Sequence, residues 1–147
     1  MANKFLLRSI ALSDIFKEMR VFTNKWFSRW AEDEELSDSV LWVTAKDVVA
    51  GIVEGSLGGC LFKKRIPREG GGKRSGFRVI VGYRKSDGSR VVFLYAFAKN
   101  DKANISNKEK TALQLTAKDF LNATDKQLQE LISTKKYREV TSNEQDS

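Results

Sequence analysis

Residues 61–99 read LFKKRIPREGGGKRSGFRVIVGYRKSDGSRVVFLYAFAK, and this stretch decides the fold. It predicts three consecutive antiparallel strands at residues 61–66, 77–84 and 90–99, because each run is rich in apolar residues and is bounded by loops of glycine, serine and aspartate. The second run alternates between apolar side chains on one face and arginines such as Arg78 on the other. We therefore expect a small sheet with one face built for a core and the other carrying guanidinium groups.

Helices are predicted on both sides of this stretch in the sequence. Ser37 is a good N-cap for a helix whose apolar stripe continues to Ile52 and stops at a glycine cluster that begins with Gly55. Two capping boxes, which start at Ser106 and Thr124, predict two further helices. Upstream, the spacing of three aromatic residues predicts a helical turn that buries their rings. These residues are Trp26, Phe27 and Trp30.

The chain is expected to form one domain at residues 19–140. Residues 1–18 are predicted to be an N-terminal extension with Met19 as an alternative start, and residues 141–147 a disordered tail. A short edge strand is expected at residues 137–140. The predicted order is β-α-β-β-β-α-α, an α+β domain with helices against one face of a small twisted antiparallel sheet around a single core.

The net charge of the chain is concentrated in residues 61–85. The chain has 26 Lys and Arg against 19 Asp and Glu, and this segment holds nine of the cations and one acid, Glu69. The rest of the chain is left with 17 basic and 18 acidic residues. A positive field focused in this way attracts phosphates, and cations interleaved with apolar residues favour a nucleic-acid surface.

The composition also excludes several kinds of site. Cys60 is the single cysteine, so the chain cannot form an internal disulfide, and it has no histidine, which is the commonest metal ligand and general base. The glycine-rich loop lacks the spacing of a P-loop. No run of residues approaches the length of a membrane span. We expect a cytoplasmic protein that needs no metal or cofactor and has no membrane partner.

A cluster of cations is the candidate site. Lys63 and Arg65 share one face of the first strand, about 7 Å apart, with Lys64 opposite. If the second strand presents Arg78 on the same face, three cations converge on a site one phosphate wide. Such a cluster suits RNA cleavage by the ribose 2′-hydroxyl, because the substrate supplies the nucleophile and the protein stabilises the added negative charge.

Proton transfer and base contact are assigned to neighbouring residues. Lys63 is the candidate base or acid in a chain without histidine. Tyr95, Phe97 and Lys99 share a face of the third strand, where Tyr95 could donate a proton and Phe97 could stack on a base, although both rings could instead belong to the core. The residues predicted to bind RNA are Lys64, Arg68, Lys73, Arg74 and Phe97.

The order of these segments resembles a known family. LFKKRI at 61–66, a Gly/Lys/Arg loop, SGFRVIVGYR at 75–84 and FLYAFAKNDKANIS at 93–106 are similar to the RelE/HigB-type toxins of bacterial type II toxin-antitoxin modules, over residues 19–140. The resemblance implies a microbial RNase-like fold and an mRNA endoribonuclease that often acts on messages in the ribosomal A site. The positions that match the family's catalytic cations are Lys63, Arg65, Arg78 and Lys99.

The resemblance also implies partners. A cognate antitoxin, commonly a helix-turn-helix protein, would neutralise the positive face, and the complex would bind operator DNA through the antitoxin. Two alternatives remain open. The first is a ParE-type toxin that poisons DNA gyrase. The second is a non-catalytic RNA-binding regulator, to which Asn100 gives weight because many members have an arginine there.

Overall fold

The computed structural model describes residues 16, 18–67, 76–85, 90–99 and 104–142. Within these residues the chain forms six strands and four helices. The elements in chain order are β1 (Arg20–Asn24), α1 (Lys25–Asp33), α2 (Asp38–Val49), β2 (Gly55–Gly58), β3 (Leu61–Ile66), β4 (Phe77–Tyr83), β5 (Arg90–Ala98), α3 (Asn107–Asn122), α4 (Asp125–Ser133) and β6 (Tyr137–Val140).

The strands form one sheet in the order β2-β3-β4-β5-β1-β6. All neighbouring pairs are antiparallel except β1 and β5, which run parallel. The predicted α+β class is confirmed, as are the three central strands and the short edge strand β6. The structure adds β2 to the predicted elements, and the helical turn predicted at Trp26, Phe27 and Trp30 belongs to the nine-residue helix α1.

Helix ends follow the capping residues in the sequence. The Ser37 hydroxyl accepts a hydrogen bond from the Val40 amide at the start of α2. Both capping boxes are formed, at Ser106 for α3 and at Thr124 for α4. In each box the side chain satisfies an amide that the first helical turn leaves without a backbone partner.

Both faces of the sheet are covered, so the prediction of helices on one face is wrong. One core cluster contains Val79 of β4 with Leu41 of α2, and the other contains Ile80 of β4 with Phe120 of α3. Adjacent residues of a strand point to opposite faces, so these two clusters lie on opposite sides of the sheet. Every residue of β4 is buried, because this strand lies inside the sheet with helices over both of its faces.

Helix α2 ends earlier than its apolar stripe predicts. The chain leaves the helix at Ala50, and Gly51 adopts φ 85°, a left-handed conformation that favours glycine. Ile52 therefore lies outside the helix and is 58% exposed. The glycines Gly55 and Gly58, predicted to end the helix, instead bound β2, which pairs with β3.

The aromatic residues of α1 divide between core and solvent. Phe27 is fully buried and Trp30 packs against the first core cluster, as predicted. Trp26 is 47% exposed, so the expectation that its ring is buried is wrong. Phe27 and Ala31, one turn apart, form the buried side of the helix, and Trp26 lies outside that side.

Most of the predicted N-terminal extension lies outside the described residues. Met19 is buried and Phe16 packs against the first core cluster. Residues 1–15 lie outside the described residues, as do residues 143–147 of the expected tail. The domain limits therefore stay a prediction.

Substituting Gly82→Ala should destabilise the protein by about 1–3 kcal/mol through overpacking. A Cβ at Gly82 would lie 2.9 Å from Cγ1 of Val92 and 3.1 Å from Cβ of Ala117, where α3 packs on β4. Gly55→Ala is the matched control, because its Cβ would meet nothing within 4 Å. Urea unfolding measures both free energies. Equal stabilities of the two variants would contradict this close packing of helix and strand.

Candidate functional site

The sheet register brings three predicted cations to one face. Arg65 of β3 lies opposite Arg78 of β4, and Lys63 lies opposite Ile80. Residues directly opposite each other on neighbouring strands project to the same side, and so do residues two apart on one strand. Lys63, Arg65 and Arg78 therefore share one face, and we refer to these three residues as the cation cluster.

Arg78 is the most buried member of the cation cluster. It is 8% exposed, and its Nε lies 2.6 Å from Oε2 of Glu54. Its Nη1 is also buried and has no hydrogen-bond partner among the described residues. A buried donor without an acceptor is costly, and a guanidinium is suited to bidentate contact with a phosphate. Arg78 thus combines a charge that Glu54 compensates with a buried donor that no described residue satisfies.

Glu54 is the site residue that sequence reasoning missed. Besides its contact with Arg78, its Oε1 lies 3.4 Å from Nζ of Lys63. Its backbone amide donates to the Lys63 carbonyl at 2.8 Å, which fixes Glu54 beside β3. Glu54 was missed because strand β2 was not predicted from the sequence. Once this strand is known to pair with β3, the residue just before it must lie next to Lys63.

The environment of Glu54 keeps its carboxylate ionised. Burial raises the pKa of this carboxyl, but the hydrogen bonds and positive charges of Arg78 and Lys63 outweigh burial. The pKa therefore lies below the ordinary value of 4.5. At neutral pH Glu54 therefore remains an anion among cations.

Other predicted site residues project to the opposite face, belong to the core, follow the end of β5 or lie outside the described residues. Lys64 projects to the opposite face, where its Nζ lies 3.2 Å from Oδ2 of Asp47 on α2. Phe97 pairs with Arg78 in the sheet but is only 5% exposed and belongs to the second core cluster. Lys99 follows β5 and is exposed. Residues outside the described ranges are Arg68, Lys73 and Arg74.

Tyr95 lies on the same side of the sheet as the cation cluster. It pairs with Ile80, which in turn pairs with Lys63. Its ring is half-buried and packs against Trp26, with the two ring centroids 4.8 Å apart. Tyr95 thus remains near the cations but contacts an exposed indole that the sequence did not place there.

Metal sites and membrane-spanning helices are two other features that the described parts of the chain could contain. These residues contain no group of three or more His, Cys, Asp or Glu side chains placed to hold a metal ion. None of the helices described is both long enough and apolar enough to cross a membrane. The arrangement that the described residues do provide is the cation cluster with the carboxylate of Glu54 beside it.

Substituting Glu54→Gln should weaken the dependence of stability on acid pH. A carboxyl whose pKa is lowered by folding contributes stability that is fully present above its unfolded pKa and is lost as pH falls through its folded pKa. Wild-type stability should therefore decline below about pH 4.5 more steeply than that of the variant. Urea unfolding over a pH series measures this difference. Identical pH dependences would contradict the ion pairs of Glu54.

Comparison with known proteins gives the family. No curated protein is similar enough to this chain to add to the comparison. Residues 19–140, most of the chain, match the family described as the RelE toxin of the RelE / RelB toxin-antitoxin system. Toxins of this family pair with antitoxins, so an antitoxin is the partner of this chain. The predicted resemblance is confirmed: the chain belongs to the RelE toxin family.

Proposed function

We propose that this toxin is an mRNA endoribonuclease that cleaves by attack of the ribose 2′-hydroxyl on the adjacent phosphorus. The observation that carries the proposal is Arg78, whose buried Nη1 has no partner among the described residues and which shares a sheet face with Lys63 and Arg65. A donor held in place before the substrate arrives needs no reorganisation during the reaction. Fixed cations therefore favour the transition state, in which the phosphoryl oxygens carry more negative charge.

The reaction requires two proton transfers, and the site offers a group for each. The carboxylate of Glu54 takes the proton of the 2′-hydroxyl as the 2′-oxygen bonds to phosphorus. The ammonium of Lys63, which lies 3.4 Å from Glu54, gives a proton to the departing 5′-oxygen as the P–O5′ bond breaks. Tyr95 is the alternative donor on the same face. The products are a 2′,3′-cyclic phosphate and a 5′-hydroxyl, and no metal ion is required.

Membership of the RelE toxin family supports a proposal for the biological target. We propose that the toxin acts in the cytoplasm on messages being translated on the ribosome, and that cleavage inhibits translation. A helix-turn-helix antitoxin would cover the cation cluster with acidic groups and would carry the complex to operator DNA. The charge of the cluster supports this, since the anionic side chains of a partner would compete for the same donors as a phosphate.

Substituting Arg78→Lys should reduce cleavage by about 10²–10³-fold, because loss of one positioned donor typically costs that much. Lysine keeps the positive charge but cannot donate in the fork geometry of a guanidinium. The measurement uses purified toxin in a translation extract with a defined message and maps the 5′ ends of the RNA over time. Thermal unfolding of the variant shows whether it is folded, and Arg78→Ala provides a second variant.

Different outcomes distinguish the alternatives. Cleavage at the wild-type rate by a folded Arg78→Lys variant would contradict the proposed site. Intact RNA together with inhibited DNA gyrase would favour the ParE-type reading. Toxin that binds RNA without cutting it would favour a regulator.

Neighbouring lysines offer a matched pair of variants. Lys63→Ala should lower the cleavage rate by about 10²–10⁴-fold, the usual contribution of a general acid or base. Lys64→Ala should leave the rate near that of wild type, because Lys64 lies on the opposite face with Asp47. The same 5′-end assay measures both. Equal losses would contradict the division of the two lysines between the faces of the sheet.

A further inference from the structure

Trp26 is an exposed aromatic residue that the proposed chemistry does not use. It is 47% exposed, whereas the other large apolar residues exposed in the described ranges are aliphatic. A scattered exposed apolar residue needs no explanation, but an indole exposes a flat face suited to stacking. The aliphatic residues are Val40, Val43, Ile52 and Leu115.

The indole of Trp26 is held in a defined orientation. Its ring packs on Tyr95 with centroids 4.8 Å apart and an angle of 31° between the planes, and the Tyr95 ring is 6.3 Å from that of Phe97. The start of α1 is fixed to the sheet, because Nδ2 of Asn24 donates to the Leu94 carbonyl at 3.0 Å. Trp26 therefore forms the outer member of a run of three aromatic rings that leads back to the core.

This run lies beside the cation cluster. Phe97 on β5 pairs with Arg78 on β4. Tyr95 on β5 pairs with Ile80 on β4, and Ile80 pairs with Lys63 on β3, so Tyr95 and Lys63 are separated by two strand spacings. Two strand spacings amount to about 10 Å. Sites for single-stranded RNA combine these two features, because cations hold the phosphates while aromatic rings stack on the unpaired bases.

The surroundings of Trp26 favour a nucleic acid over a protein. Lys25 and Arg29 are exposed on the same helix, and the first turn of α1 contains no acidic residue. A central aromatic anchor for a protein partner is usually surrounded by contacts that exclude water, and charged residues are depleted there. Cations around an exposed indole instead suit a phosphate backbone that continues past the stacked base.

We propose that Trp26, supported by Tyr95, binds one unpaired base of the message next to the cleaved phosphate. This inference rests on the proposed function and adds a determinant of base preference to it. Trp26 is a positioning residue here, since it touches the substrate base but takes no part in proton transfer. Its stacking would hold a base next to the cation cluster and would give a modest preference for bases that stack strongly.

The test compares Trp26→Ala and Trp26→Phe with the control Leu115→Ala. The control removes an exposed apolar side chain from a different helix, α3. The assay is 5′-end mapping in a translation extract at limiting toxin. Trp26→Ala should slow cleavage about 5- to 150-fold, the usual effect of losing one base stack. It should also reduce the preference for particular bases at one nucleotide position near the cleavage site. Trp26→Phe should restore much of both, and Leu115→Ala should change neither.

A second arm uses a synthetic message with an abasic nucleotide at that position. On the abasic message, the cleavage rate of wild-type toxin should fall toward the rate of Trp26→Ala on the normal message. The cleavage rate of Trp26→Ala should fall little further on the abasic message, because either change removes the same stacking contact between base and indole. A folded Trp26→Ala variant with wild-type rate and preference would overturn the base site while leaving the nuclease intact. A slower rate with unchanged preference and a full abasic penalty would also overturn it. Intact RNA in the presence of the folded wild-type toxin would instead refute the proposed function on which the inference rests.

Discussion

The side chain of Arg78 is buried on one face of the sheet, and the carboxylate of Glu54 compensates its charge. A charge buried in a strand with both faces covered is tolerated only with a partner. Glu54 provides that partner at 2.6 Å and is fixed in turn by the hydrogen bond from its amide to the Lys63 carbonyl. The short strand β2 and its pairing with β3 therefore do more than extend the sheet, because they hold the carboxylate against Arg78.

The same arrangement keeps the site positive where a phosphate would bind. Glu54 compensates part of the positive charge of the cation cluster, while Nη1 of Arg78 remains a donor without a hydrogen-bond partner among the described residues. Lys64, one residue from Lys63, projects to the other face and contacts Asp47. The alternation of a single strand thus separates a cation that supports helix packing from one that faces the site.

The central part of the fold and the cation cluster could be predicted from the sequence. Strands β3, β4 and β5 have strong β-propensity. That Arg65 and Arg78 share a face was predicted only on the condition of a register, which the structure supplies. Glu54 could not be found because β2, Gly55–Gly58, has no apolar pattern that distinguishes it from a loop. Burial of both faces was missed because Arg78 in β4 suggested an exposed face. The exposure of Trp26 depends on how α1 packs, which a nine-residue helix with several aromatics does not determine.

The chemistry of the cut ends tests the central claim most directly. Purified toxin is added to a translating message, and the termini of each fragment are identified, with a parallel message that carries a single 2′-deoxynucleotide at the cut. The account predicts fragments with 2′,3′-cyclic phosphate and 5′-hydroxyl ends, and no cleavage at the 2′-deoxy position. Fragments with 3′-hydroxyl and 5′-phosphate ends, or cleavage that persists at that position, would contradict attack by the ribose hydroxyl.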